Sequence, residues 1–353
     1  MISVSRMKEY GVAFTLDREK TVWLEGDRVV MLDRRKLPEK VEYPSFRDYQ
    51  EVARAIEQMV IQGAMLVGYA AGYGIALTAV KNRSLPKERL KLELQKAATR
   101  LRSTRPTGSD LFSVVDESLR VAYKAIDQGD DVGSAVADYV RNLIREEDSI
   151  AKRIGQNAAT LLEDGDTVLT HCYAESALIY MFLEAEKRGK RVKAIATETR
   201  PYLQGARLTS LALKEAGVPV TLICDSMVAY CMWKGLIQKY VTAADRVALD
   251  GSIANKIGTY QNAIAAHEHN IPFYVLSYSG PDKNTPVYKD IVVEERDPEE
   301  IFYIRGVRIA PDGIGGYYPA FDIVPPKFIS AIVTERGIFA PAAMKDYWDS
   351  RRT

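Results

Sequence analysis

The stretch VKAIATETRPYLQGARLTSLALKEAGVPVTLIC, residues 192–224, decides the fold of this 353-residue chain. Two short runs of apolar and β-branched residues, at 192–197 and 219–224, enclose a helical pattern at 205–217. A strand, a helix and a second strand at this spacing form a βαβ unit, which requires parallel strands joined by a right-handed crossover. The stretch therefore predicts a parallel sheet covered by helices.

The same alternation continues on both sides of this stretch, and it begins at about residue 145. Strands are predicted at 167–170, 192–197, 219–224, 246–249, 273–276 and 331–334, with helices between them. Before residue 145 the pattern is mostly helical, apart from a hairpin predicted at 21–32 around a Gly-Asp turn. A charged amphipathic helix, predicted at 148–163, leads into the first strand of the sheet. The chain therefore reads as two domains, 1–145 and 146–353.

The longest uncharged segment is GAMLVGYAAGYGIALTAV, residues 63–80. Its length only just suffices to cross a bilayer, and it contains four glycines between closely placed polar flanks. We therefore predict a helix buried inside the protein, where glycine permits neighbouring backbones to approach, and we predict no membrane partner.

Composition and charge argue against several classes of function. The formal net charge is +1, which favours neither a nucleic-acid partner nor a membrane surface. The three cysteines and three histidines are too few and too irregularly spaced for a disulfide framework or a zinc site, so no metal is predicted. Cys224 and Cys231 lie in apolar runs and are predicted to be core thiols. Reduced thiols and the lack of a signal-peptide pattern predict a cytoplasmic protein.

Polar residues follow the predicted strands where each strand ends. The first strand leads into His171 and Cys172, the second into residues 197–200, and the third into Asp225. In open parallel sheets, ligands bind beyond the carboxyl ends of the strands, so these residues are expected to face a small-molecule site. No strand is followed by a GxGxxG or Walker loop, and we therefore predict no dinucleotide, nucleotide or other cofactor.

Pattern alone leaves the roles of these residues open. The pattern is equally consistent with Cys172 as a small buried hydrophobic residue and with Cys172 as a reactive thiol. Asp245 suits a cap or turn as well as an acid, and residues 255–256 suit a solvated turn as well as a binding pair. Helix N-termini near residues 205 and 258 are expected to offer N–H groups to an anion.

Six long motifs carry a resemblance to a known family. They are RPTGSDLF (105–112), LTHC (169–172), and the segments 196–226, 243–260, 294–311 and 319–338. In these motifs, and in their order from about residue 20 to 340, the chain resembles methylthioribose-1-phosphate isomerases. The wider superfamily includes ribose-1,5-bisphosphate isomerase and the regulatory subunits of the nucleotide-exchange factor for translation initiation factor two.

The resemblance implies an α/β protein. Its N-terminal domain is mostly helical with a small β element, and its C-terminal domain is a Rossmann-like parallel sheet that binds no dinucleotide. It also implies a homodimer that acts on a small-molecule sugar phosphate. The implied enzyme is an aldose–ketose isomerase of methionine salvage, which converts 5-methylthioribose 1-phosphate, or a closely related 5-substituted ribose 1-phosphate, to the ribulose 1-phosphate.

The resemblance also implies which residues form the site. The catalytic positions fall on Cys172 and Asp245, and the substrate-binding positions on Gln62, Gly63, Ala64, Arg105, Gln204, Asn255 and Lys256. The reaction needs an acid at the ring oxygen and a second group near C2. We expect burial to keep Asp245 protonated for the first role, and a lowered pKa or desolvation to make Cys172 the base. Proton and hydride transfer both stay open.

Three positions depart from the family pattern. Gln62 replaces an expected arginine, Asp110 an expected asparagine, and Glu175 the glycine of the segment after the cysteine. Each change makes the site more negative, which disfavours a phosphate. We therefore hypothesise a changed substrate within the same chemistry. The alternatives are an isomerase of another pentose phosphate, such as ribose 1,5-bisphosphate, and a non-catalytic regulatory protein like the translation-factor subunits.

Overall fold

The computed structural model describes residues 17–105 and 109–349, which form two compact units. One unit ends at Asp148 and the other begins at Ser149, so the division lies within the helix Val132–Ala159. The domain boundary predicted at residues 145 and 146 falls in the same helix and stays a prediction.

The helices and strands are numbered here in chain order. The helices are α1 (Tyr49–Glu57), α2 (Ala64–Lys81), α3 (Lys87–Arg102), α4 (Ser109–Gln128), α5 (Val132–Ala159), α6 (Glu175–Lys187), α7 (Ser210–Glu215), α8 (Val228–Trp233) and α9 (Thr259–Glu268). The first eight strands are β1 (Val22–Glu25), β2 (Arg28–Met31), β3 (Ser45–Phe46), β4 (Thr167–Thr170), β5 (Lys193–Thr197), β6 (Val220–Ile223), β7 (Lys239–Ala243) and β8 (Arg246–Val247). The others are β9 (Ile253–Lys256), β10 (Phe273–Leu276), β11 (Tyr303–Ile304), β12 (Val307–Arg308), β13 (Phe321–Val324), β14 (Ala331–Thr334) and β15 (Gly337–Phe339).

The N-terminal unit packs its helices around α2. The helix is apolar on all sides and buried, as its uncharged sequence predicts. A Cβ atom added at Gly72 would lie 2.6 Å from the Val140 side chain and 3.2 Å from the Ser118 hydroxyl, so glycine is required for α4 and α5 to pack this closely. The predicted hairpin is also confirmed, as β1 and β2. Within residues 17–105 and 109–349, no helix is long and apolar enough to cross a membrane.

The C-terminal unit contains a seven-stranded sheet in the order β15-β14-β10-β7-β4-β5-β6. Every neighbouring pair is parallel except β14 and β15. The chain adds β5 and β6 on one side of β4 and then returns to add β7, β10 and β14 on the other. The strand order therefore reverses between β4 and β7. The predicted α/β fold with a mostly parallel sheet is confirmed.

Three details of the predicted C-terminal unit are wrong. The fourth strand of the sheet is β7 and not residues 246–249, which contribute the short strand β8 to a separate antiparallel sheet with β9 and β13. The helix predicted at 148–163 is the end of the longer helix α5. Cys224 is exposed because it follows the edge strand β6, whereas Cys231 is buried as predicted.

Candidate active site

Cys172 and Asp245 flank the point where the strand order reverses. Cys172 comes two residues after β4, and Asp245 comes two residues after β7, the parallel neighbour of β4. The loops that follow two such strands run to opposite sides of the sheet and leave a crevice between them. The Asp245 N–H donates to the Ala254 carbonyl of β9 at 2.9 Å, and the Asp245 carboxylate is among the charges that raise the pKa of the Cys172 thiol.

His171 is a buried connector between three chain segments. Its Nδ1 lies 2.7 Å from the Thr197 hydroxyl, and its Nε2 lies 2.8 Å from the Ile257 carbonyl oxygen. The Thr242 hydroxyl donates to the His171 carbonyl at 2.8 Å. The His171 ring therefore ties the end of β4 to the ends of β5 and β9, and its backbone carbonyl ties it to β7.

The hydrogen bonds around this ring have only one consistent direction. Burial lowers the pKa of His171, so the ring is neutral and carries one N–H. A carbonyl oxygen only accepts, so Nε2 must donate to Ile257 and Nδ1 must accept from the Thr197 hydroxyl. Thr197 has then used its proton and accepts from the Thr199 hydroxyl, 3.3 Å away. Thr199 in turn accepts from the Cys172 N–H at 2.9 Å.

This chain of bonds holds Cys172 in a strained backbone conformation. Cys172 has φ 64°, and Thr199, the residue that accepts its N–H, has φ 61°. Non-glycine residues rarely adopt these angles unless the surrounding structure imposes them. The Asp225 carboxylate imposes the second one by accepting the N–H groups of Thr199 at 2.8 Å and Arg200 at 2.7 Å. The Thr209 hydroxyl donates to the Cys172 carbonyl at 2.5 Å and completes the clamp.

The thiol itself is a neutral group in this structure. Burial raises the pKa of Cys172 to about 12, against the opposing charge of Lys256 and with a smaller contribution from Asp245. Of the two expected alternatives, a lowered pKa or a desolvated thiol, the structure shows desolvation and no lowered pKa. Asp245 is exposed, so the structure does not show the burial expected to keep its carboxyl protonated.

Asn255 and Lys256 lie at the end of β9, and both are buried rather than solvated. The Asn255 amide donates to the Thr242 and Thr259 hydroxyls, at 3.3 and 3.0 Å. The Lys256 ammonium lies 4.5 Å from the centre of the Phe321 ring and close enough to affect the Cys172 pKa. The structure therefore brings Lys256, Asp245 and Cys172 together.

Gln204 immediately precedes a π-helical turn, Gly205–Thr209, which leads into α7. Its Oε1 is shielded from solvent and has no hydrogen-bond partner within the described ranges. A Cβ atom at Gly205 would lie 1.9 Å from the Thr197 carbonyl oxygen, so only glycine fits beside the strand end. Turns of this type occur frequently at functional sites.

The two helix N-termini predicted as anion sites already have partners. The N–H groups of Ala206 and Arg207 donate to the backbone carbonyls of Glu198 and Leu203, at 3.2 and 2.8 Å. Near residue 258, the Asp322 carboxylate accepts the N–H groups of Gly258 and Tyr260, at 2.7 and 3.0 Å. Sequence reasoning missed Asp322 as a cap because it lies 62 residues beyond the helix start that it caps.

The N-terminal unit brings its own predicted residues together around Met59. The Gln62 amide donates to the Met59 carbonyl at 3.1 Å, and the Arg105 guanidinium lies 2.6 Å from the Met59 sulfur. Gly63 has φ 101° and precedes Ala64, where α2 begins. The predicted loop and the predicted arginine are therefore neighbours, although 46 residues separate Met59 from Arg105.

Two of the three departures from the family pattern acquire a structural context. Glu175, where the resemblance expects glycine, has φ 56°, a backbone angle that favours glycine. Beside Gln62, the fully buried guanidinium of Arg34 donates to the Gln62 carbonyl at 3.0 Å. A positive charge is therefore present at this loop even though Gln62 carries none.

The fold and the site together place this protein in a class. It is an α/β protein of two units, with polar residues gathered where a parallel sheet reverses its strand order. The profile of the Initiation factor 2 subunit family matches residues 60–341. The chain therefore belongs to that family.

Relatives and solved structures of this family carry two kinds of name. A methylthioribose-1-phosphate isomerase from Dehalococcoides mccartyi is 42% identical over 327 residues, which cover 90% of this chain and 98% of the relative. A structure of 5-methylthioribose 1-phosphate isomerase from Pyrococcus horikoshii has a TM-score of 0.86 and 33% identity, covering 93% of this chain and 94% of that one. A structure of translation initiation factor eIF-2B, subunit delta, from A. fulgidus has a TM-score of 0.82 and 38% identity, covering 92% and 96%.

Proposed function

We propose that this protein is an aldose–ketose isomerase that converts 5-methylthioribose 1-phosphate, or a close 5-substituted analogue, to the ribulose 1-phosphate in methionine salvage. The observation that carries the proposal is the cluster of the half-buried Cys172, the buried Lys256 and the exposed Asp245 at the strand-order reversal. A regulatory protein needs no strained, clamped thiol beside an acid and a buried ammonium. The isomerase names of relatives at about 40% identity support the same conclusion.

The catalytic cycle that we propose uses two groups. Asp245 donates a proton to the ring oxygen, and the bond between that oxygen and C1 breaks. Cys172, as the thiolate, removes the proton from C2 and later returns it to C1. The hydroxyl on C2 becomes the carbonyl, and its proton returns to Asp245, so both groups are restored.

The structure adds two conditions to this cycle. Cys172 must lose its proton although burial raises the pKa of its thiol, and the Lys256 charge is the group that favours the thiolate. Asp245 is exposed, so we propose that bound substrate covers its carboxyl and keeps it protonated.

The substrate-binding residues that we propose belong to two groups, one in each unit. In the C-terminal unit they are Gln204, Asn255 and Lys256, of which Gln204 offers a shielded oxygen and Lys256 a positive charge. In the N-terminal unit they are Gln62, Gly63, Ala64 and Arg105, where a helix start and a guanidinium suit a phosphate.

We also propose a cytoplasmic homodimer. Free cysteines suit a reducing compartment. A run of exposed apolar side chains along β6 and α8 supports association with another copy, since such patches mark contact surfaces. They are Leu222, Met227, Tyr230, Trp233 and Leu236.

The test is turnover by the purified chain. We expect conversion of 5-methylthioribose 1-phosphate, followed by NMR, with loss of activity in Cys172→Ser and Asp245→Asn. Run in deuterated water, proton transfer through Cys172 introduces solvent deuterium at C1, whereas hydride transfer does not. Exclusive turnover of ribose 1,5-bisphosphate would reassign the substrate, and no binding or turnover of any sugar phosphate would refute the enzyme assignment.

A further inference from the structure

Tyr318 is a buried tyrosine whose hydroxyl has no hydrogen-bond partner within residues 17–105 and 109–349. Its residue is 4% exposed. A shielded hydroxyl without a partner costs free energy, and phenylalanine would fill the same space without that cost. The hydroxyl is therefore a candidate for a bond that forms only when a ligand is present.

The backbone places Tyr318 beside the candidate active site. Its carbonyl accepts the Arg296 N–H at 2.9 Å, and two residues later the Ala320 carbonyl accepts the Ile257 N–H at 3.1 Å. Ile257 is the residue whose carbonyl accepts from His171, next to Cys172. Tyr318 therefore lies at the end of the β9 and β13 pair that also carries Lys256.

The phenol is a hydrogen-bond donor at neutral pH. Burial raises the pKa of Tyr318 to about 12; the nearby Arg296 opposes this shift, and Glu300 and Cys172 add to it. A phenol with this pKa is protonated throughout the neutral range and acts as a donor.

We propose that the Tyr318 hydroxyl donates a hydrogen bond to the bound sugar phosphate, at an oxygen on the carbons that react beside Cys172. This inference rests on the proposed function and adds a substrate-contacting residue to it. No covalent step is assigned to the phenol, which binds and orients the substrate.

The experiment compares Tyr318→Phe with Tyr317→Phe. Tyr317 is the adjacent tyrosine, and it is exposed and bonded through its hydroxyl to Glu295 at 3.0 Å. We expect Tyr318→Phe to melt at the wild-type temperature or above it, and to lose about tenfold in kcat/KM for 5-methylthioribose 1-phosphate. The loss should be constant from pH 6 to 9 because the phenol does not titrate there. Tyr317→Phe should match the wild type in turnover.

A second measurement separates this inference from the proposed function. We expect ribose 1-phosphate to raise the melting temperature of the wild type and of Tyr317→Phe more than that of Tyr318→Phe. An active wild type with an equally active Tyr318→Phe would overturn the Tyr318 assignment alone. If the wild type is stabilised by the sugar phosphate but turns nothing over, the proposed function fails, and the thermal shift of Tyr318→Phe decides this inference. If no variant responds to either sugar, both fail.

Discussion

The loop after β4 and the turn at residues 59–64 both hold residues in left-handed backbone conformations, but by different means. Both contain left-handed backbone, at Cys172 and at Met59 and Gly63. In the first, a chain of four hydrogen bonds from Ile257 to the Cys172 N–H imposes the strain on a reactive residue. In the second, glycine takes the largest angle, and Arg34 and Gln62 support the turn through backbone carbonyls.

Cys172 must be placed to within a fraction of an ångström, whereas the turn at residues 59–64 must only present a charge. A reacting atom loses rate steeply when it is displaced, which justifies a directional network of buried side chains. A phosphate is held by several donors at once and tolerates exchange among them. We therefore expect substitutions after β4 to lower kcat, and substitutions in the turn to change KM.

The largest effect is expected for the thiol itself. Cys172→Ser should lower kcat by roughly 10²–10⁴-fold, since proton transfer by a placed group contributes that much. The measurement is steady-state turnover of 5-methylthioribose 1-phosphate. Cys224→Ser is the matched control, because Cys224 is the exposed cysteine. If the kcat of Cys172→Ser lies within tenfold of the wild-type value, Cys172 is not the group that transfers the proton.

The pH dependence should be nearly as large. Burial raises the pKa of Cys172 to about 12, so below that pH the thiolate fraction grows tenfold with each pH unit. We expect kcat, measured at saturating substrate so that the covered Asp245 carboxyl stays protonated, to rise about 100-fold between pH 7 and pH 9 at constant ionic strength. A flat profile over this range would show that Cys172 acts as the neutral thiol and would contradict its role as base.

Thr199→Val tests the network while it keeps a side chain that is branched at Cβ. The substitution removes the acceptor of the Cys172 N–H and leaves that group unsatisfied, at a cost of about 1–3 kcal/mol. We expect a fall of roughly tenfold or more in kcat with little change in KM. Thr199→Ser retains the hydroxyl and should recover most of the rate. Equal rates in the two variants would mean that the network does not position the thiol.

A pair of glycine variants isolates the packing against His171. Gly258 has φ 99°, and a Cβ atom there would lie 2.9 Å from the imidazole Cε1. Gly129 has φ 80° with nothing within 4 Å of its added Cβ. Gly129→Ala should cost about 1–2 kcal/mol of unfolding free energy from backbone strain alone, and Gly258→Ala at least about 1 kcal/mol more. If urea denaturation gives equal losses of unfolding free energy for the two variants, the imidazole moves aside at no cost.

The smallest effect is expected in the turn. Gln62→Arg adds a positive charge beside a helix start and should lower KM by up to about fivefold at low salt, with kcat unchanged. Raising the salt concentration should reduce the gain. A fall in kcat instead would show that the turn demands the same positional accuracy as the loop after β4.

Much of the fold was predictable because it follows from local patterns. The run TVLT predicts β4 and FYVL predicts β10 with the observed bounds, since short β-branched runs between turns suit buried parallel strands. The sequence-based strand at 246–249 failed because KYVTA and RVAL are equally apolar, and only pairing decides which one joins β4. Cys224 was misplaced for a similar reason, because sequence does not reveal which strand lies at the edge of the sheet.

The residues of the candidate site also divide into those that local motifs predict and those that only long-range pairing reveals. The motifs alone point to Cys172, Asp245 and Lys256. Tyr318 and Asp322 carry no local signal, because a buried tyrosine usually belongs to the core and an aspartate usually serves its own turn. Their place beside residues 257–260 comes from the antiparallel pairing of β9 with β13, across some 65 residues.

The local sequence pattern is sufficient to predict a parallel sheet with a histidine and a cysteine at the end of its first strand. Hydrophobic periodicity and turn residues act over a few positions, so a short stretch of sequence is enough to reveal them. The packed fold is needed to show that the cysteine is a neutral thiol held at φ 64° by a threonine 27 residues away. Burial, hydrogen-bond direction and pKa depend on which distant segments meet, and that is a property of the packed chain.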